Sequence, residues 1–259
     1  MAGMRCFPVE FARAVLRYHD LPGRIGCPLV FVHGLGCASS SDYPQVAMEP
    51  ALSNRRRLLV DLLGAGFSDR PPDFPYTVAS HAHCLAEFIE GLDTAQIDLF
   101  GHSAGGAIAI EAAVLSRRRV RRLILSEPNL DPGGGVFSCR IASETEQSFV
   151  ACGHARMVRE ALDDGNSAWA GSLAASLPVA VHRMALSLVA GSVPSWREQL
   201  ISLEIPRTVI FGERSLPTPE VELLNGSPVG VRIVGEAGHS MATENPAGLA
   251  TVIGSVLQD

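Results

Sequence analysis

Apolar positions in this chain come in short solid runs separated by longer amphipathic stretches. Runs at residues 29–32, 57–60, 97–100, 122–126, 208–211 and 231–234 have strand length and little internal alternation. Such runs predict strands buried on both faces, as in a parallel sheet covered by helices. Between them the period lengthens. Residues 77–92 put Ala82, Leu85, Ala86 and Ile89 on one helical face, and residues 104–116, a short piece near Glu220 and a terminal segment from about 245 also read as helices. The stretch 9–18 predicts antiparallel edge strands. The expected class is therefore α/β, with a mostly parallel sheet flanked by helices. Between 128 and 207 the alternation stops. That stretch has helical patterns at 144–150, 154–162 and 181–189, a Gly133-Gly134-Gly135 break and no convincing strand. It predicts a helical insertion over the C-terminal ends of the strands, dividing the chain into a first core part (1–127), an insertion (128–207) and a second core part (208–259).

Composition narrows the class without naming a function. The 259 residues are 47% hydrophobic and 19% charged, which suits one soluble globular domain carrying an insertion. A net charge of −6 argues against nucleic acid as a partner. The arginine runs at 55–57 and 117–119, with Arg121 and Arg122, read as solvated ends of helices, where cations also suit the helix dipole. The cysteines at 6, 27, 37, 84, 139 and 152 show no C-x-x-C pairing, so no zinc site or disulfide framework is expected. No leader-like apolar core follows Met1, and no apolar run approaches transmembrane length, so the expected compartment is the cytoplasm, with no membrane partner.

The chemistry concentrates at Gly101-His102-Ser103-Ala104-Gly105. An apolar strand ends at Gly101 and a helix begins at Ala104, which is the setting that gives G-x-S-x-G its meaning. The chain reverses so sharply at Ser103 that side chains at 101 and 105 would collide with the adjoining elements, which favours glycine at both. A serine hydroxyl needs a base to take its proton. His239, in Ala237-Gly238-His239, follows the last strand and precedes the final helix, so it hangs above the same sheet edge. His102 is adjacent to Ser103 but is expected on the other side of the turn, and His81 and His83 do not face one another on their helix. A loop at His33-Gly34-Leu35-Gly36 leaves the first central strand. The amides of Leu35 and Ala104 are the expected oxyanion donors, because a helix N-terminus leaves its first N–H groups free.

Taken together these segments resemble the α/β-hydrolase fold, from His33-Gly34 through Asp61 with Gly64 and Gly66, the elbow 101–105 and Ala237-Gly238-His239. The resemblance implies an eight-stranded, mostly parallel sheet, a helical cap and a serine–acid–histidine triad without cofactor or metal. Serine at 103 disfavours the branches with an aspartate nucleophile, the haloalkane dehalogenases and epoxide hydrolases. The chain departs from the common pattern at the acid. The usual slot after the post-cap strand is Ser215, which carries no carboxylate. Glu127, Glu213 and Asp131 are the candidates; Glu127 is favoured, because it sits at a strand tip before Pro128, as the corresponding glutamate does in the fungal zearalenone lactonases. The expected activity is a carboxylesterase or lactonase acting on a small-molecule ester or lactone. Other chemistry on the same triad (carbon–carbon bond hydrolysis or perhydrolysis) and a ligand receptor with little turnover are the alternatives. Phe137, Phe149, Trp169, Met184 and Leu188 are expected to wall an apolar pocket.

Overall fold

A computed structural model describes residues 3–258 of the chain. Two antiparallel strands, β1 (Gly3–Val9) and β2 (Ala14–Leu21), lead into β3 (Ile25–Val32). The short helices α1 (Ser39–Asp42) and α2 (Pro44–Met48) precede β4 (Arg55–Asp61). Then α3 (Val78–Gly91), β5 (Ile97–His102), α4 (Ala104–Leu115) and β6 (Val120–Ser126) alternate. The insertion follows, with α5 (Val136–Ala142), α6 (Glu146–Ser148), a π-turn over Phe149–Gly153, α7 (His154–Asp163), α8 (Ser167–Ala174), α9 (Pro178–Ala190) and α10 (Trp196–Ser202). The chain closes with β7 (Arg207–Gly212), α11 (Pro219–Leu224), β8 (Gly230–Val234), α12 (Met241–Glu244) and α13 (Pro246–Val256).

The eight strands form one sheet in the order β1-β2-β4-β3-β5-β6-β7-β8. Pairing is antiparallel from β1 to β4 and parallel from there on. Alternate residues of each central strand enter opposite cores. Leu99 packs with α3 and α4 on one face, and Phe100 packs with α2 and α13 on the other. This is why the sequence shows solid apolar runs there: neither face of these strands meets water.

The reading of the arginine runs as solvated helix ends holds for Arg117 and Arg118, exposed just past α4. It fails for the others, which buried acceptors, backbone carbonyls and an acid, draw in. Arg55 to Arg57 lie inside β4 and are not a solvated helix end. Arg57 is buried and donates to the carbonyls of Ala47, Leu52 and Pro22. Arg55 and Arg121 both pair with Asp98, a fully buried acid of β5, at 3.3 and 2.6 Å. Arg119 donates to the carbonyls of Glu90, Leu92, Thr94 and Ala95, closing the turn after α3.

Within the insertion, Ile141, Phe149, Met157, Leu173, Val181 and Ala185 form a small core of their own. α10 belongs elsewhere. It packs on α4, and the Trp196 indole donates to Glu111 at 2.6 Å. The compact helical part of the insertion thus ends with α9. Among the described residues, no single helix is long and apolar enough to cross a membrane.

Candidate active site

The elbow at Ser103 is built by what its neighbours lack. A Cβ on Gly101 would sit 2.5 Å from the Gly105 carbonyl oxygen, and one on Gly105 would sit 2.3 Å from that of His33. Neither separation is tolerable, so only glycine lets β5, β3 and α4 close up around the turn. Ser103 takes φ 51° and ψ −120°, a strained conformation for a residue with a side chain. Its amide donates to the Ser126 carbonyl at 2.9 Å, and its carbonyl accepts from Gly106 and Asn129, so the turn is held by the end of β6, the segment after it and the first turn of α4. Gly106 adds a further close approach, since a Cβ there would lie 2.5 Å from Pro128. The segment carrying Glu127 is thereby pressed against the start of α4.

Of the three acids considered, the structure brings Glu127 to His239. One carboxylate oxygen lies 2.7 Å from His239 Nδ1, and the other accepts the Gly212 amide at 2.9 Å. Glu127 leaves the tip of β6 with φ 39° and its own amide bonded to Ile210, so β7 holds it on two sides. Burial pushes its carboxyl up, but hydrogen bonds from His239, the Ser215 hydroxyl and the Gly212 amide outweigh burial and leave it below the ordinary glutamate value. The residue in the usual acid slot, Ser215, therefore donates to the Glu127 carboxylate. Glu213 instead accepts the Glu236 amide at 2.9 Å. Asp131 pairs with Arg197 at 3.0 Å.

Ser103, Glu127 and His239 line one cavity of about 500 Å³, together with Leu35, Phe137, Trp169 and Leu188 from the loop and the insertion. Phe149 and Met184, expected on this wall, are elsewhere. Phe149 fills the small core of the insertion, and Met184 packs into the main core. The helical period identifies them as inward-facing but cannot say toward which interior.

The loop 33–36 is organised by His33, whose bonds nothing local in the sequence reports. His33 is buried, and its Nε2 accepts the Leu62 amide at 3.0 Å. That donor forces the proton onto Nδ1, which donates to the Gly34 carbonyl at 2.9 Å. Cys37 donates to the same carbonyl at 3.3 Å. In a trans peptide the N–H points opposite to the C=O, so holding the Gly34 carbonyl aims the Leu35 N–H the other way. The Leu35 carbonyl in turn accepts the Trp169 indole N–H at 3.1 Å, which ties α8 to this loop. Ala104 is buried as the first residue of α4, and its amide has no partner within that helix.

His102 overturns its expectation. Its ring centroid is 4.7 Å from that of His239, and it lines the same cavity. Burial, reinforced by the neighbouring His239, pushes its pKa down to about 3, so it stays neutral. Its Nδ1 contacts the Ser126 carbonyl and hydroxyl at 3.1 and 3.2 Å. The strand pairing of His102 with Ser126 decides this direction, and nothing local in the sequence reports it.

Residues 28–208 match the family model for the alpha/beta hydrolase fold, and the chain belongs to that family. Among characterised relatives, the 2-hydroxy-6-oxo-2,4-heptadienoate hydrolase of Pseudomonas putida is 38% identical over 108 residues, 41% of this chain and 38% of that protein. The chain thus matches about two fifths of that relative's length. Among solved structures, a thermophilic esterase from Thermogutta terrifontis superposes with a TM-score of 0.80 at 21% identity, covering 99% of this chain and 98% of that one. The N-acyl homoserine lactonase AidH gives 0.77 at 18%, covering 100% and 97%. At these identities the two structures speak for the fold alone.

Proposed function

We propose that this chain is a serine hydrolase of carboxylic esters or lactones that works through an acyl-enzyme. The observation that carries the reading is the His239–Glu127 contact of 2.7 Å on the wall of the cavity that the strained Ser103 also lines. Ser103 Oγ attacks the carbonyl carbon while His239 Nε2 takes its proton. The carbonyl oxygen becomes an oxyanion facing the Leu35 and Ala104 amides. The tetrahedral adduct collapses, the alcohol leaves with the proton from His239, and a water deprotonated by His239 then cleaves the acyl-serine. Glu127 keeps the imidazole in the tautomer with Nδ1–H and stabilises the cation formed at each half-reaction. These steps use only side chains and amides of the chain itself. The helices α5 to α9 act as a cap that decides what enters.

A fluorophosphonate should label Ser103 stoichiometrically, and the Ser103→Ala protein should take no label. In parallel, p-nitrophenyl esters of rising chain length should be turned over. A folded protein that neither labels nor hydrolyses any ester would sink the reading and favour a ligand receptor.

The Pseudomonas relative favours a second reading. A 2-hydroxy-6-oxo dienoate contains no ester, so its hydrolysis breaks a carbon–carbon bond, and the same Ser103 and His239 could serve that reaction. Its carboxylate is what separates the two readings.

A further inference from the structure

We propose that the cavity selects uncharged substrates and rejects anionic ones, with Glu220 as a specificity-determining residue. The inference rests on the ester-hydrolase reading above and narrows it to neutral esters and lactones. Apart from the reacting groups, the cavity wall combines apolar side chains (Phe137, Trp169) and neutral amides (Asn129, Asn166) with two further acids, Asp131 and Glu220. No arginine is among the described lining residues, and the chain contains no lysine at all. The arginine that reaches the acidic side of the wall, Arg197, has its Nε on both oxygens of Asp131, at 3.2 and 3.0 Å. His239 is already matched to Glu127. A carboxylate entering this space would shed its water and find acids but no uncommitted cation among the described lining residues, and like charges brought together repel. Among the described residues Glu220 is the acid of the wall that pairs with no cation, its carboxylate accepting the neighbouring Thr218 hydroxyl. A neutral acyl chain or ring meets no such penalty. A dienoate therefore suits this cavity poorly despite the kinship, because its carboxylate would meet neutral donors but no cation among the described lining residues to offset the two acids.

The test uses a matched pair, methyl p-nitrophenyl adipate and p-nitrophenyl hydrogen adipate, which differ only in a methyl ester against a carboxylate. With the full chain at low ionic strength, kcat/KM for the neutral ester should exceed that for the anion by about a hundredfold. Raising the salt from about 0.02 to about 0.5 M should narrow that ratio several-fold, since screening acts on charge and not on shape. Glu220→Gln should also narrow it, and Glu220→Arg should narrow it further. Equal kcat/KM for the two esters, or a ratio indifferent to salt and to both substitutions, would overturn charge selection while leaving the hydrolase reading intact. Absence of turnover on the neutral ester would remove that reading and this inference with it. A 2-hydroxy-6-oxo dienoate hydrolysed faster than the neutral ester would likewise overturn it.

Discussion

Ser103 and His239 should behave as one unit. Ser103→Ala and His239→Ala should each lower ester hydrolysis on the order of a millionfold, and the double variant should be no worse than either alone. Losses that multiplied would mean that the two residues act separately. In the proposed mechanism Glu127 works through the imidazole, so Glu127→Gln should lower kcat by roughly three to four orders of magnitude, as a carboxylate-to-amide change does in serine proteases. Glu213, bonded to the Glu236 amide, should lose less than about tenfold as Glu213→Gln. A larger loss at 213 than at 127 would reverse the assignment of the acid. His33 acts one step further out. Since it holds the peptide that aims the Leu35 amide, His33→Ala should lower kcat roughly ten- to a hundredfold with KM little changed, part of what losing an oxyanion donor outright removes. Equal changes in kcat and KM across esters would point to general loosening instead.

At the scale of elements, α8 ties the insertion to the loop 33–36. Trp169 packs against Phe137 at 4.6 Å between centroids and donates to the Leu35 carbonyl. The two aromatics should therefore respond differently. Trp169→Phe keeps most of the bulk and removes the hydrogen bond, so it should slow all chain lengths by a common factor of about three to ten. Phe137→Ala opens the wall without touching the oxyanion loop and should change the ranking of acyl-chain lengths. The check is one panel of p-nitrophenyl esters from acetate to octanoate on both variants. Reordering by Trp169→Phe, with none by Phe137→Ala, would contradict this division of roles.

For the whole molecule, the site leaves a signature in acid stability. The Glu127 carboxyl lies below its ordinary value in the folded chain. A carboxyl depressed by folding stabilises the fold above its unfolded value, and that contribution is lost as pH falls through the folded value. The natural chain should then lose more melting temperature than Glu127→Gln between about pH 6 and pH 3, by roughly one to a few degrees, because the variant has no carboxyl to protonate there. Thermal scans at both pH values on both proteins measure it. An equal or larger acid loss in the variant would mean that the Glu127 contacts do not favour the ionised form.

The central strands were legible because a strand buried on both faces must be apolar throughout. The elbow was legible because only glycine at 101 and 105 permits the contacts that form there. Ser103 and His239 stood out as candidates because strand ends and helix starts mark where a parallel sheet exposes its chemistry. The partner of His239 depended on the tertiary structure. Glu127 and His239 are 112 residues apart, and their meeting follows from β6 and β7 lying side by side with Gly212 free to donate. The same holds for Arg57, for Phe149 and Met184, and for His102 turning toward His239. Each chooses among interiors or partners that look alike in sequence. Local pattern records whether a side chain faces inward, while the packed arrangement of elements decides what it meets there.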